Sequence, residues 1–563
     1  MKSAVLLMLL ISLACVATYY NTFPGEWVWD DVSSVLLHQH VRDTSKLFQL
    51  FREDQHAFGR GEGNFYRPLV SASFMIDYWL SSGPSLEEVE TLKGPEVSTT
   101  IFHLTNLLLH LAAALLFALL LYRLSVPAFV CFAAPLIFVV HPLHTEAVAY
   151  ISGRADMMSG IGILAALYFS VRATQSSSPL LSIIAGAACF VFGLLSKESS
   201  LIYPFLLVML LLFLCTNRQS EKTPWSKITA PMAAAGAILV VYLILRSTVL
   251  RFVESTGTHA SSLTQRLFEA FQSLGLYLKL LFVPTKLHME RVLVHVSQGY
   301  FWLGLAFLIC LIGGIVLGWY WNQRRIAAGF AWFIITWLPI SGIFPLNAPM
   351  AEHWMYMPMA GFWWALAELI FLLFKRPPMR QLAYAVVLIL SIVFIVMSAQ
   401  RNVDWHDNVS LFRATLRENP DSARVHFNLA VTYQDIEKNY VGARRHYKQY
   451  LRIQAAKHAK DPSGTGGITD ADIEAQLSLG HVLMELREFE AAVQAYAPLI
   501  TLGSAEAWRA VAAQAAAECG KAFLALGDVN QSAYYFQQAL TLEPAIKPAV
   551  KNSLDGIPFN ELY

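Results

Sequence analysis

The chain has 563 residues, of which 56% are hydrophobic and 14% are charged, and its formal net charge is +1 at pH 7. This composition differs strongly from that of a soluble globular protein, and the balanced charge, without a long basic block, argues against a nucleic-acid partner. Five of the six cysteines lie in apolar runs and Cys519 stands alone in the C-terminal part. Neither a disulfide framework nor a zinc motif can be built from them. The sequence therefore predicts an all-α, multi-pass membrane protein.

Apolar runs long enough to cross a bilayer as helices, about 17 to 25 residues, recur through the first 400 residues. Eleven predicted spans lie near residues 3–20, 101–122, 126–140, 156–171, 179–195, 201–216, 229–249, 301–321, 326–345, 357–374 and 382–399. A cleaved signal peptide is an alternative for the first run, because Lys2 precedes a short apolar core. Acidic residues follow so closely that a retained anchor is favoured.

Basic residues in the short loops predict the sidedness of the protein. Those between spans 2 and 3, 4 and 5, 6 and 7, 8 and 9, and 10 and 11 mark the cytoplasmic face by the positive-inside rule; they are Arg123, Arg172, Arg218, Lys222, Lys227, Arg324, Arg325, Lys375, Arg376 and Arg380. The opposite face then receives residues 21–100, the loop around Lys197, residues 250–300 and the segment around His353. With an odd number of spans, the chain after residue 400 is extracytoplasmic as well.

One further apolar stretch, residues 266–284, is interrupted by Glu269, Lys279 and Pro284. These polar residues and the proline favour an interfacial or re-entrant amphipathic helix over a twelfth span. Such a helix would lie against the membrane surface. If it crossed the membrane, the C-terminal part would move to the cytoplasm.

The C-terminal part, residues 401–563, has the spacing of small and aromatic residues that is typical of tetratricopeptide repeats. Three units are predicted, on Leu429, Ala430, Tyr433, Ala443, Tyr447 and Tyr450; on Leu479, Gly480, Leu483, Ala492 and Tyr496; and on Gly520, Phe523, Phe536, Ala539 and Pro544. The first unit has one extra residue in its turn, and residues 459–470 form a linker. Such units stack into an α-solenoid that usually holds a peptide. The alternative is a helical cap that only stabilises the membrane part.

Two adjacent acids, Asp30 and Asp31, follow the first span in the stretch GEWVWDDVSSVL. Adjacent carboxylates are costly unless one titrates, is paired or is solvated, and active sites use such differences to separate a general base from a helper carboxylate. The alternative is a solvated turn that caps the following helix.

The stretch HPLHTEAVAYISGRADMMSG, residues 141–160, places polar groups between two apolar runs. His141, His144 and Glu146 are close enough in sequence to hold a divalent metal. The same spacing suits a capping network before a helix, and a metal is not favoured.

Arg67, Arg154 and Lys197 are basic residues on the outer face, against the positive-inside trend, which invites a role in binding an anion such as phosphate. The alternatives are a snorkelling Arg67 and an ion pair between Lys197 and Glu198.

Taken in order, the acidic pair, NFYRPL (64–69), HPLHTEAVAYISGRADMMS, LLSKES (194–199), AEHWMYMP (351–358) and the C-terminal repeats resemble the TMTC family of transmembrane, tetratricopeptide-repeat-containing O-mannosyltransferases. The resemblance implies a GT-C glycosyltransferase fold for residues 1–400 and a polyprenyl-phosphate-linked mannose donor. It also implies Ser or Thr hydroxyls of exported proteins as acceptors. One departure is His353, where the family usually has Arg; a permanent positive charge at that position is therefore in doubt.

The resemblance also implies roles for the polar residues. By analogy with acidic pairs in related GT-C enzymes, Asp30 is expected to be the base and Asp31 to position the acceptor, with the reverse left open. A single direct displacement would invert the anomeric carbon. The residues expected to bind the donor phosphate or sugar are Arg67, His141, His144, Glu146, Arg154, Asp156, Lys197, Glu198, His353 and Tyr356.

Two rival functions are a non-catalytic, membrane-anchored repeat scaffold that binds peptides and a transporter of lipid-linked precursors. The polar groups cluster in outer loops and the spans are nearly free of charge, which favours an enzyme at the membrane surface over a midplane transport site. No firm cofactor is predicted. The expected location is a bacterial cytoplasmic membrane with periplasmic repeats, or the endoplasmic reticulum with lumenal repeats in a eukaryote.

Overall fold

The computed structural model describes residues 2–58, 65–81, 97–215, 225–248, 262–293, 296–346, 348–459 and 468–553. Throughout these ranges the regular structure is helical, and the all-α prediction is confirmed. Some of the predictions fall outside the described residues: they concern Asn64 of NFYRPL, the loop basic residues Arg218 and Lys222, and most of the predicted linker 459–470. The chain divides into two compact units, Met1–Leu411 and Phe412–Tyr563.

The first unit is built from helices that follow the apolar runs. They are α1 (Lys2–Tyr19), α2 (Pro68–Leu80), α3 (Thr100–Arg123), α4 (Ala128–Val140), α5 (Thr145–Val148), α6 (Arg154–Gln175), α7 (Leu180–Leu194), α8 (Tyr203–Cys215), α9 (Trp225–Thr248), α10 (Leu263–Phe282), α11 (Gly299–Tyr320), α12 (Arg324–Trp337), α13 (Tyr356–Leu373) and α14 (Pro377–Asp404). Helix α6 packs against α3 and α7, and α12 packs against α13. Their apolar faces form the core around Trp332, Trp364 and Phe117.

Seven helices among the described residues are long and apolar enough to cross a membrane, and eight if α4 and the following Pro142–Val148 form one span bent by 51°. All eleven predicted spans fall on helices, and seven or eight of these have the length and composition of a span among the described residues, against the eleven predicted. Helices α4, α7 and α12 have only 13, 15 and 14 residues, whereas a bilayer requires about 20. The hydropathy of a run does not reveal where the helix within it ends.

Helix α10 covers the stretch predicted to be interfacial or re-entrant, and it is not among the helices suited to span. It crosses α11 at two glycines. A Cβ added to Gly275 would lie 2.1 Å from the Tyr300 carbonyl oxygen, and one added to Gly304 would lie 1.9 Å from that of Phe271. The two backbones approach this closely only because both positions lack a side chain.

Helix α15 (Asn408–Glu418) leads from the first unit into the second. The second unit contains α16 (Ala423–Val431), α17 (Tyr440–His458), α18 (Asp470–Glu485), α19 (Phe489–Thr501), α20 (Arg509–Ala525), α21 (Val529–Leu542) and α22 (Lys547–Ser553). Consecutive helices from α16 to α21 pack together.

The small residues of the predicted repeats lie at these helix contacts. A Cβ on Gly480 would lie 2.2 Å from Cε1 of Tyr496, and one on Gly520 would lie 2.7 Å from the Phe536 ring. The extra residue predicted in the first turn falls at a π-helical turn, Thr432–Ile436, a geometry that accommodates one more residue per turn. The assignment to tetratricopeptide repeats stays a prediction.

Candidate active site

The turn that carries the acidic pair begins with a strained residue. Trp29 has φ +50°, a conformation that is costly for a bulky side chain and recurs at functional sites. The surrounding structure holds it there: its backbone N–H donates to Oδ1 of Asn408 at 2.8 Å, and its ring stacks on Tyr150 with the centroids 6.1 Å apart. The backbone of this turn sets the direction of Asp30 and Asp31.

Asp31 is fully buried. Its Oδ1 accepts hydrogen bonds from the backbone N–H and the hydroxyl of Ser152, at 2.8 and 2.6 Å, and its Oδ2 accepts from the Val28 N–H at 3.2 Å. Burial raises the pKa of this carboxyl to about 7, although the bonds from Ser152 and Val28 act in the opposite direction. Its side chain does not cap the helical turn that follows. Asp31 therefore joins its own turn to the segment that precedes α6.

Asp30 is partly exposed, unlike its neighbour. Its carboxylate forms a side-chain hydrogen bond with Tyr150 and acts electrostatically on the imidazole of His56. The two adjacent acids therefore have different environments, which is the condition for dividing a base from a helper. Partial exposure suits Asp30 to take a proton from an incoming hydroxyl, but the assignment of roles stays a prediction.

Arg67 and Lys197 each pair with a carboxylate. Arg67 Nη2 lies 3.1 Å from Glu198 Oε2, and its guanidinium lies 4.6 Å from the centre of the Phe65 ring. Lys197 Nζ lies 2.6 Å from Asp156 Oδ1, so its partner is not the adjacent Glu198. The side chains of Arg67 and Lys197 retain 14% and 12% of their exposure. Both cations are therefore ion-paired and partly exposed at the surface of the unit.

Arg154 is in a different position, because its side chain is fully buried. Nε donates to Asn106 at 2.8 Å, Nη1 to Ser73 at 3.0 Å, and Nη2 to the Phe102 carbonyl oxygen at 3.0 Å. Nη2 also pairs with Asp77 at 2.5 Å. A direct contact with phosphate would require these bonds to break. In this arrangement Arg154 holds α2, α3 and α6 together, and the geometry opposes its predicted role in the donor pocket.

The two histidines of HPLHTE are buried. His141 Nδ1 accepts the Leu143 N–H, a bond of the kind that the capping alternative predicts, and its Nε2 bonds to the Leu281 carbonyl oxygen at 3.0 Å. His144 packs among aromatic rings, with the Phe138 centroid at 4.4 Å and that of Tyr356 at 4.7 Å. The Tyr356 hydroxyl in turn bonds to His110 Nδ1 at 2.9 Å. His141, His144 and Tyr356 thus belong to the packed interior.

Glu146 and His353 pair with each other. Glu146 Oε1 lies 3.0 Å from His353 Nδ1, and Oε2 accepts the His353 N–H at 3.0 Å. Glu146 is buried, whereas the His353 side chain keeps 27% of its exposure. Among the described residues no group of three His, Cys, Asp or Glu side chains is placed to hold a metal. His141 and Glu146 have separate hydrogen-bond partners, and His144 is packed among aromatic rings.

Sequence reasoning missed two sets of residues. His56 and Tyr150 both interact with Asp30. His56 lies outside the recognised strings, and Tyr150 lies inside one but carries no charge, so only their interaction with Asp30 in the fold identifies them.

The second set is a buried charged group of Glu352, Arg291 and Arg401. Glu352 Oε1 lies 2.8 Å from Arg291 Nη2, and Glu352 Oε2 lies 3.6 Å from Arg401 Nη2. Glu352 lies in AEHWMYMP, so the string itself was a signal that could have identified it.

These features define a class: a multi-pass helical membrane protein whose first unit carries an acidic pair beside partly exposed cations. Curated relatives match across most of the chain. Protein O-mannosyl-transferase F38B6.6 of Caenorhabditis elegans is 26% identical over 463 residues, covering 78% of this chain and 62% of that protein. Tmtc3 of Drosophila melanogaster is 26% identical, covering 87% and 58%, and human TMTC3 is 24% identical, covering 85% and 53%. Both carry the name protein O-mannosyl-transferase.

The resemblance seen in the sequence is confirmed: the chain is similar to TMTC protein O-mannosyl-transferases over most of its length. It spans between about half and two thirds of the length of these relatives. No protein-family model matches the chain. Among solved structures, the apo oligosaccharyltransferase of Archaeoglobus fulgidus covers 79% of this chain and 59% of its own, with a TM-score of 0.40 and 11% identity. That likeness is too weak to define the fold.

Proposed function

We propose that this protein is an inverting membrane glycosyltransferase of the GT-C type, which transfers mannose from a polyprenyl-phosphate-linked donor to Ser or Thr hydroxyls of exported proteins. The carrying observation is that His56 is tied through Ser34 to the turn of the partly exposed Asp30 and packs on the Phe65 ring. The same ring contacts the guanidinium of Arg67. A proton acceptor and a phosphate-binding group therefore lie within one small region. The activity named for the relatives supports the choice of mannose.

The proposed reaction needs one base and a stabilised leaving group. Asp30 takes the proton of the acceptor hydroxyl as the oxygen attacks the anomeric carbon. The bond between that carbon and the phosphate oxygen breaks, and the polyprenyl phosphate departs with the electron pair. Arg67 and Lys197 stabilise the negative charge on the leaving phosphate. One displacement from the opposite side inverts the anomeric centre.

Asp31 has a supporting role in this scheme. With its Oδ1 engaged twice by Ser152, it holds the turn that carries Asp30 and does not itself accept the proton. Glu198 and Asp156 keep the two cations oriented before the donor binds. The phosphate of the donor then displaces these carboxylates from Arg67 and Lys197, or shares the two cations with them.

We further propose that the second unit engages the acceptor protein. The location proposed for the chain is a bacterial cytoplasmic membrane with this unit in the periplasm; in a eukaryote the equivalent location is the endoplasmic reticulum with the unit in the lumen. Apolar helices of spanning length support an integral membrane protein in either case.

The test uses the purified full chain in lipid nanodiscs, with synthetic polyprenyl-phosphate mannose and a Ser/Thr-containing peptide. Mass spectrometry measures mannosylated peptide. The parent protein should transfer mannose, and Asp30→Asn should lower turnover by about 10² or more, the lower range for general-base catalysis. Affinity for the donor should persist, because an anionic phosphate gains nothing from a nearby carboxylate.

Glu26→Gln is the matched control, since Glu26 is an exposed acid in the same segment and its loss should leave turnover unchanged. A parallel reaction with EDTA tests the possible divalent metal, which this mechanism does not use. Parental turnover in both Asp30→Asn and Asp31→Asn would refute the catalytic assignment and favour the non-catalytic peptide-binding scaffold.

A further inference from the structure

His56 lies where the turn of Asp30 meets the segment of Arg67. Its Nδ1 forms a hydrogen bond with the Ser34 hydroxyl at 3.2 Å, and the Ser34 N–H donates to the Asp30 carbonyl oxygen at 2.8 Å. On its other side the imidazole packs edge-on against the Phe65 ring, with the centroids 5.7 Å apart. The same Phe65 ring contacts the Arg67 guanidinium. The imidazole is thus fixed between the base and the cation.

Asp54 holds the backbone of this arrangement. Its Oδ1 accepts the N–H of His56 at 2.7 Å, and its Oδ2 accepts the N–H of Phe65 at 2.5 Å. One buried carboxylate thereby ties the two ring-bearing residues to each other. Three contacts consequently fix the position of the imidazole: Ser34 at the ring nitrogen, Phe65 against the ring, and Asp54 at the backbone N–H of His56.

The described titratable and charged groups that interact with His56 are Asp30, Asp54, Arg67 and His38. Arg67 is paired in turn with Glu198. Burial lowers the pKa of His56, the carboxylates of Asp30 and Asp54 oppose that shift, and Arg67 adds to it. The imidazole therefore gains its proton at a lower pH than an ordinary histidine.

We infer that His56 is a positioning residue that couples the base to the phosphate site. The inference rests on the proposed function. The neutral imidazole leaves the Asp30 carboxylate able to take the acceptor proton. A protonated imidazole pairs with that carboxylate and weakens it as a base, and at the same time adds a positive charge beside Arg67.

Acid should therefore change the two steps in opposite directions. Below the pKa of His56, turnover should fall by up to about tenfold per pH unit, as the neutral fraction declines. Over the same interval the affinity for a lipid phosphate should rise, because an anion binds more tightly where a further cation is present. A residue that merely maintained the fold would weaken both steps together.

The experiment measures binding of polyprenyl-phosphate mannose without acceptor, and transfer of mannose with acceptor, between pH 5 and 8 on the full chain in nanodiscs. The mannose-linked donor is a phosphodiester, so its charge does not change over this interval, unlike that of a phosphate monoester. In His56→Gln the rise in affinity should disappear and the fall in turnover should move to lower pH. His40→Gln is the control, because His40 lies on the same segment but pairs with Glu53 at 2.7 Å; its curves should overlay those of the parent.

A second variant keeps the test decisive if His56→Gln folds poorly. Asp30→Asn removes the carboxylate that stabilises protonated His56, so the rise in lipid-phosphate affinity should move to lower pH. Affinity curves of His56→Gln or Asp30→Asn that overlay the parental curve would overturn the inference. A parent that binds polyprenyl-phosphate mannose with this pH dependence but transfers no mannose would refute the proposed function and leave the coupling intact.

Discussion

At the scale of single residues, burial separates groups that the sequence makes look equivalent. Asp30 and Asp31 are adjacent acids, but only Asp31 is fully removed from solvent. Arg67, Arg154 and Lys197 are all basic residues on the predicted outer face, but Arg154 alone is completely enclosed by protein acceptors. The chemistry available to each group follows from its accessibility, and two predictions follow from this difference.

The first concerns Lys197. Replacing it with Met should reduce the affinity for polyprenyl phosphate by about 10- to 100-fold, because one charge-assisted hydrogen bond contributes about 1.5 to 3 kcal/mol. The double variant Lys197→Met/Asp156→Asn separates binding from folding, since it also removes the carboxylate that the substitution leaves unpaired. It should regain the parental melting temperature but not the affinity. Unchanged affinity in Lys197→Met would exclude a phosphate contact.

The second concerns Arg154. Its replacement by Met leaves Asp77 buried without its cation, which should destabilise the protein by about 3 to 5 kcal/mol. The expected result is a lower melting temperature and a lower folded yield. Arg154→Met/Asp77→Leu, which removes both charges, should recover most of the loss. If Arg154→Met instead melted at the parental temperature and lost affinity for the donor, Arg154 would belong to the phosphate site after all.

At the scale of helices, the crossing of α10 and α11 leaves no room for a side chain at Gly275. Gly275→Ala should therefore force the helices apart and destabilise the protein by about 1 to 3 kcal/mol, the usual effect of overpacking. Gly313→Ala is the matched control on α11, because nothing lies within 4 Å of a Cβ there. That variant should be neutral or slightly stabilising, as alanine has the higher helix propensity. Equal melting temperatures for the two variants would contradict the close crossing.

At the scale of the whole molecule, the boundary at Leu411 leads to a truncation experiment. A chain ending at Leu411 keeps the bond between Asn408 and the strained Trp29, whereas a chain ending at Trp405 loses it. The chain ending at Leu411 should still transfer mannose to a short peptide. Its transfer to a folded protein acceptor should fall by about tenfold or more, because a second binding module raises the local acceptor concentration.

The truncation at Trp405 should in addition lose transfer to the peptide, since Asn408 no longer holds the turn before Asp30. Both activities are measured by mass spectrometry on equal amounts of folded protein. Equal losses on peptide and protein in the chain ending at Leu411 would assign the second unit a purely structural role.

The sequence by itself determined the all-α membrane class, the positions of the helices and the relationship to the TMTC proteins. Hydrophobic runs indicate the helices, and the polar strings indicate the relationship; both are stretches of consecutive residues, so the sequence alone shows them. It did not determine helix length: α4 ends at Val140, before His141 caps the next turn, and hydropathy does not record such breaks.

Only the tertiary structure decided which polar residues can act together. His56 is separated from Asp30 along the chain and joins it through Ser34. His141, His144 and Tyr356 lie near acids in the sequence but are held by backbone and aromatic partners in the interior. The physical reason is that accessibility and charge environment depend on contacts between distant segments, and a list of residues in order does not contain them.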